Sequence, residues 1–134
     1  MNKKSLVATR TRDISEIMRR VKSAHTEPEQ ILRKALRARG LRFRVCPPRP
    51  EGKPDIVFQK DRVAVFVDGD FWHGYQWRRR ELSTLEDQFH QTTTKDYWVK
   101  KIRRNMHRDC AVTEKLLTDG WTVIRFWESE VERL

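Results

Sequence analysis

The sequence predicts an α/β domain in which helices pack on an open β-sheet. Three observations predict it. Apolar residues recur at helical spacing within 26–39 and 94–119, and they alternate at period two within 41–45 and 121–127. Two short apolar runs, 55–59 and 62–67, flank a tight polar turn, so strands and helices alternate along the chain. With 134 residues there is room for about one domain and a modest core, and 1–134 is read as a single unit.

Residues 1–12 are polar and basic, and are read as a flexible arm that orders on meeting a partner. Asp13 or Ser15 caps a short helix carrying Ile14, Ile17, Met18 and Val21. Thr26-Glu27-Pro28-Glu29 has the form of a helix start, with a threonine cap, an early proline, and a glutamate three residues after the cap. Ile31, Leu32, Ala35 and Leu36 supply the apolar stripe, and Gly40 ends the helix. Leu41 to Val45 alternates as a half-buried strand does. Four prolines and a glycine make Cys46 to Pro54 a loop.

The next two strands, Asp55–Gln59 and Arg62–Val67, form a hairpin whose register decides what meets at its end. A two-residue loop at Asp61-Arg62 sets Asp55 opposite Asp68. A loop at Lys60-Asp61 shifts the pairing by two and keeps both on one face, whereas a three-residue loop puts them on opposite faces. Gly74 to Thr94 is polar, contains Arg78, Arg79 and Arg80 in a row, and reads as a functional loop with about one helical turn. Thr94 or Asp96 opens a long helix with Trp98, Ile102, Met106 or Cys110, Val112, Leu116 and Leu117 at roughly helical spacing, and Gly120 stops it. Trp121 to Trp127 is the last strand, with both tryptophans assigned to the core.

Lysine and arginine number 29 against 19 aspartates and glutamates, a net charge of +10. Such an excess favours phosphate-rich partners, because binding releases their condensed counterions. Cys46 and Cys110 form neither a close pair nor a metal-binding pattern, which points to a reducing compartment. No signal peptide or membrane span is read, so the expected location is cytoplasmic.

The chemistry concentrates in Asp55-Ile-Val-Phe and Val65-Phe-Val-Asp-Gly-Asp-Phe-Trp-His73. If the hairpin forms, Asp55, Asp68 and His73 converge at one end of a sheet, where they make a plausible hard-cation site. Phosphodiester cleavage needs a nucleophilic water, stabilisation of phosphate charge, and a proton for the leaving oxygen. Mg²⁺ supplies the second need and part of the first, and it prefers carboxylates, carbonyls and water. Asp55 and the Val67 carbonyl are candidate ligands; Asp68 and His73 are candidate ligands, water holders or proton carriers. Asp109 on the long helix is a candidate partner for His73. Each has a plainer reading. Strand-end aspartates bond turn amides, Asp-Gly is a common turn pair, and Glu29 by spacing is a capping residue. Phe71, Trp72 and Trp98 either roof the core or lie exposed to stack on bases and wedge between them.

These residues resemble the very-short-patch mismatch repair (Vsr) endonucleases from about Ile14 to Glu128. The resemblance rests on Glu27-Pro-Glu29, Gly40-Leu-x-Phe-Arg-Val45, Gly52-Lys-Pro-Asp55 and Val65-Phe-Val-Asp-Gly-Asp-Phe-Trp-His-Gly74. It continues through Tyr97-Trp98, Lys101-Ile-x-x-Asn105, Arg108-Asp109, Gly120-Trp121 and Trp127-Glu128. It implies a restriction-endonuclease-like core, a central mixed β-sheet flanked by helices, and Mg²⁺-dependent nicking of one strand of double-stranded DNA at or near T·G mismatches. It also implies that Asp55 and the Val67 carbonyl bind metal, that Asp68 lies near the attacking water, and that His73 is catalytic with Asp109 as its acidic partner. Glu29 would support the site, while Phe71, Trp72 and Trp98 would wedge into the duplex. The resemblance favours a monomer on DNA, with mismatch-repair proteins as candidate partners. Relatives carry a cysteine-held structural zinc at positions occupied here by Asp70, Tyr75 and Ser129, so no zinc is expected. Much of the family's C-terminal extension is also missing from this chain. Two other readings stay open: a homing or mobile-element nuclease with another target, and a DNA-binding module without catalysis.

Overall fold

The computed structural model describes residues 26–89 and 93–134. The expected basic arm and the helix around Ile14 to Val21 lie outside them. Helix α1 (Glu27–Ala38) is followed by strands β1 (Arg44–Val45), β2 (Ile56–Phe58) and β3 (Val63–Asp68). A short helix α2 (Gln76–Arg79) and a 3₁₀ turn (Glu86–Phe89) lead into the long helix α3 (Lys95–Thr118). Strand β4 (Thr122–Trp127) and a single turn, α4 (Glu128–Val131), complete the order. The sheet is mixed: β1, β2 and β3 pair antiparallel, and β4 lies parallel to β3. With helices on the sheet, this is the α/β restriction-endonuclease-like architecture expected.

Alternation along the strands separates two apolar faces. Ile56, Val65, Leu32 and Val131 pack together on the side of α1 and α4, with Phe43, Phe58 and Phe126 against them. Ala64, Phe66 and Leu116 pack on the α3 side with Val112, Trp121 and Val123. A third cluster, Phe71, Leu85, Phe89, Trp98 and Ile102, fills the space between the 71–89 segment and the first half of α3.

The inward stripe of α3 runs through Trp98, Ile102, Asn105 and Leu116, all buried, with Asp109 half-buried on the same line. Leu117, expected in that stripe, is exposed instead. It sits one residue beyond Leu116, about 100° further around the helix. Trp121 and Trp127 are half-buried rather than fully inside, because β4 is an edge strand.

The hairpin pairs Ile56 with Val65, Val57 with Ala64 and Phe58 with Val63, which is the register of the Lys60-Asp61 turn. Arg62 adopts a positive φ of 55° there, and its amide donates to the Gln59 carbonyl. The ladder ends at Ile56. The Asp55 amide then donates to the Val65 carbonyl at 2.9 Å, and the Asp55 side chain accepts from the Val67 amide at 2.7 Å.

Candidate active site

Asp55 and Asp68 come to the same end of the sheet but enter two different groups. Glu29, Cys46 and Asp55 offer ligand atoms within 4.8 Å of one another, and so do Asp68, His73 and Asp109. The backbone of Val67-Asp68 joins them, because the Val67 amide holds Asp55 while the next side chain belongs to the other group.

The first group is built from a helix start and a strand start. Thr26 donates to Glu29 Oε2 through its amide (2.9 Å) and its hydroxyl (2.7 Å), so the glutamate expected to cap α1 does so. Glu29 is buried and its Oε1 lies 3.4 Å from Arg33 Nη2. Burial opposes its ionisation, yet the two Thr26 bonds hold its pKa below the usual carboxylate value. Asp55 behaves oppositely. Burial, together with the charges of Glu29 and Asp68, pushes its pKa up to about 7 despite the Val67 amide bond. Among the described residues, the buried Glu29 and the half-buried Asp55 have Arg33 as their one cation, so negative groups outnumber positive ones. Such a donor set suits a hard cation, although the exposed Cys46 thiol beside it is a soft donor.

In the second group, His73 Nδ1 makes a short bond to Asp109 Oδ2 and lies 3.9 Å from Asp68 Oδ1. Burial disfavours the imidazolium, but the Asp109 bond and the Asp68 charge prevail and raise the His73 pKa. Burial likewise raises the pKa of Asp68, with His73 and Arg125 opposing it. The segment carrying His73 is seated on α3 at two points. Asn105 Nδ2 donates to the Trp72 carbonyl at 2.8 Å, and Gly74, at φ 75°, lies where a Cβ would run into Met106 and Ile102. Without a side chain at residue 74 the backbone approaches α3 closely enough for His73 to reach Asp109.

Phe71 and Trp98 are 8% and 5% exposed, so the reading that set both on the surface does not describe this chain. Edge-to-face contacts between Phe71 and Trp98 (5.4 Å) and with Phe89 (5.7 Å) give them a place in the third cluster. Trp72 stays half-exposed, its ring 5.1 Å from Phe71 and 5.5 Å from Trp98.

At the positions where zinc was considered, Asp70 is buried. Its Oδ1 accepts from the Ser129 amide at 3.3 Å, and its Oδ2 lies 3.2 Å from Arg79 Nε in an ion pair not aligned as a hydrogen bond. The Asp70 amide donates to Glu128 Oε1, and Tyr75 stacks on Trp127 at 4.4 Å. Carboxylate, phenol and hydroxyl are a poor zinc set beside thiolate and imidazole, and the carboxylate is already engaged.

A family model described as "DNA mismatch endonuclease Vsr" matches residues 7–79, more than half the chain. This chain belongs to the Vsr family. It is 44% identical over 110 residues to the type II nicking enzyme V.NmeDIP of Neisseria meningitidis serogroup C, covering 82% of this chain and 70% of that one. To the type II nicking enzyme V.HpaIIP of Haemophilus parainfluenzae it is 39% identical, covering 82% and 73%. To the DNA mismatch endonuclease Vsr of Escherichia coli (strain K12) it is 31% identical over 114 residues, covering 85% and 68%. The protein is thus a Vsr-family DNA endonuclease of the nicking type. Glu29, Asp55, Asp68 and His73 lie inside the matched span, and Asp109 lies beyond it. No helix among the described residues is long and apolar enough to cross a membrane.

Arg125 escaped the sequence reading, although its Nη1 lies 3.0 Å from both oxygens of Asp68. The signal was a charge at an inward position of the alternating run Trp121 to Trp127.

Proposed function

We propose that this Vsr-family nicking enzyme is Mg²⁺-dependent and breaks one strand of double-stranded DNA at or near T·G mismatches. The observation that carries the reading is the contact of two unlike groups at one sheet end: an over-acidic pair beside an acid–histidine–acid triad. Asp55 and the Val67 carbonyl would hold the cation. A strand residue presents its carbonyl to the same neighbour as its amide, and the Val67 amide faces Asp55. When bound, Mg²⁺ would neutralise charge at the scissile phosphate and acidify water near it. Glu29, anchored by Thr26, supports Asp55 from α1.

His73 takes the proton from the attacking water. Its Nδ1 is committed to Asp109, which leaves Nε2 as the ring atom for the transfer, and Asp109 stabilises the imidazolium that forms. Asp68 orients the water between the two groups. Trp72, the half-exposed ring of the aromatic cluster, meets the duplex at the mismatch, with Phe71 and Trp98 backing it from within. The chain works as one domain and as a monomer on DNA inside the cell.

The test uses supercoiled plasmid, a matched duplex and a T·G duplex, each with and without Mg²⁺, for wild type and Asp55→Ala. Expected is Mg²⁺-dependent nicking of the T·G duplex that disappears in the variant. Equal nicking by Asp55→Ala would remove the metal-site assignment. Cleavage blind to the mismatch would remove the T·G assignment alone.

A further inference from the structure

Arg125 is an unusual resident of a sheet. A charge on the inward side of a strand is costly to desolvate unless its partners are well made, and an apolar residue would pack there at less cost. Here the partners are well made. In the parallel register Arg125 lies opposite Phe66, and its guanidinium sits 4.0 Å over that ring. Nη1 faces both Asp68 oxygens at 3.0 Å, Nε donates to Thr113 Oγ1 at 2.9 Å, and Nη2 donates to the Asp109 carbonyl at 3.3 Å. Thr113 and Asp109 are one turn apart on α3, so the guanidinium ties that turn to the end of β3. All three guanidinium nitrogens are engaged, one Nη1 N–H being shared between the two Asp68 oxygens, so three of the five N–H groups are spent on the protein itself.

The consequence falls on His73. Two carboxylates face its Nδ1, and one imidazole N–H cannot serve both. Asp109 makes the short bond while Asp68 stands off at 3.9 Å. We propose that Arg125 is a positioning residue of the nicking site: by engaging Asp68 and fixing the Asp109 turn, it makes Asp109 the acceptor for His73 and keeps Asp68 turned toward the water. The inference rests on the roles given above to Asp68, His73 and Asp109. It assigns to Arg125 no contact with DNA.

Single-turnover nicking at saturating Mg²⁺ and DNA affinity would be measured for wild type, Arg125→Met, Arg125→Lys, Asp68→Asn and the Asp68→Asn/Arg125→Met double variant. A misplaced hydrogen-bond network costs between about tenfold and a hundredfold in rate, so Arg125→Met should slow the chemical step by that much with DNA affinity almost unchanged. Arg125→Lys, which restores the charge next to Asp68 but not the bridge to α3, should recover part of the rate. The double variant should be slower than Asp68→Asn by less than Arg125→Met is slower than wild type, because part of the arginine's effect passes through Asp68 and part through the Asp109 turn. In the double variant neither charge is left buried alone, so it also answers the question if Arg125→Met folds poorly. Arg125→Met nicking at the wild-type rate while Asp68→Asn is slow would overturn this inference and leave the site assignment standing. Losses confined to DNA affinity, or a double variant whose loss is the full product of the two single losses, would overturn it in favour of direct phosphate contact. Asp68→Asn nicking at the wild-type rate would overturn the site assignment and this inference together.

Discussion

The two acidic groups at the end of the sheet differ in how their charge is met. Asp68 and Asp109 share a half-buried arginine and a histidine, so that triad carries one cation of its own and a second group that becomes cationic on taking a proton. Among the described residues Glu29 and Asp55 have Arg33 alone as a cation, paired to Glu29, and burial with the charges of Glu29 and Asp68 raises the Asp55 pKa to about 7. The contrast assigns different work to each. An internally balanced group keeps its geometry without a ligand and suits proton transfer. An unbalanced group gains most when a cation arrives, and so suits metal binding.

The strongest way to break this comparison is Asp55→Asn. It should reduce nicking by roughly a thousandfold or more, since the hard-cation site loses the carboxylate proposed to hold the metal. It should also change stability in the opposite sense. Between the ordinary value of 3.8 and about 7, folded Asp55 keeps a proton that the unfolded chain has released. Metal-free stability should therefore fall as pH rises through that window, by roughly 2 to 4 kcal/mol from this group. Asp55→Asn should flatten the fall and melt higher than metal-free wild type at pH 8. Mg²⁺ at a hundred times its Kd should return about 2.7 kcal/mol to wild type and nothing to the variant. Thermal melts from pH 4 to 8, with and without Mg²⁺, check both claims; a variant less stable than wild type at pH 8 refutes the over-acidic site.

Asp109→Asn tests the other side. The metal-induced rise in melting temperature should survive, because Asp109 touches only the second group. The nicking rate should fall by about ten- to a hundredfold, the usual loss when an orienting hydrogen bond to a functional histidine is weakened. The Asp109 carboxylate raises the His73 pKa, so its removal lowers it. At saturating Mg²⁺, the pH at which the rate begins to rise should move down in the variant. An unmoved limb would mean that His73 is not the group that takes the proton.

Which parts of this arrangement could be read in the sequence follows from the range of each interaction. The α1 start was legible because capping is local: Thr26, Pro28 and Glu29 satisfy their own helix end. Asp55, Asp68 and His73 were legible as a convergence because a hairpin brings its ends together under any even register. Their division into two groups was not, since it depends on the ladder stopping at Ile56 and on Glu29 arriving from α1. Phe71 and Trp98 were open between core and surface, because their burial depends on Phe89 and Leu85, brought in by a segment with almost no periodicity. Arg125 was not legible because period-two alternation reports apolar residues, and a charge at an inward position shows only as a break in the pattern.

Gly74 provides the smallest and most local test. Gly40 and Gly74 both have positive φ, 77° and 75°, so alanine strains the backbone at either one, by about 1 kcal/mol. Only their surroundings differ. A Cβ on residue 40 meets nothing within 4 Å, whereas one on residue 74 collides with Met106 and Ile102. Gly74→Ala should therefore lose a further 1 to 3 kcal/mol, roughly the cost of overpacking, and push the 71–75 backbone away from α3. His73 rides on that backbone and Asp109 does not, so the rate should fall about tenfold while the Mg²⁺-induced stabilisation stays intact. Gly40→Ala should keep the wild-type rate after its small loss of stability. Equal rates for the two variants would show that His73 reaches Asp109 without the close seating of its turn, and the balanced group would then owe its geometry to Arg125 and Asn105 alone.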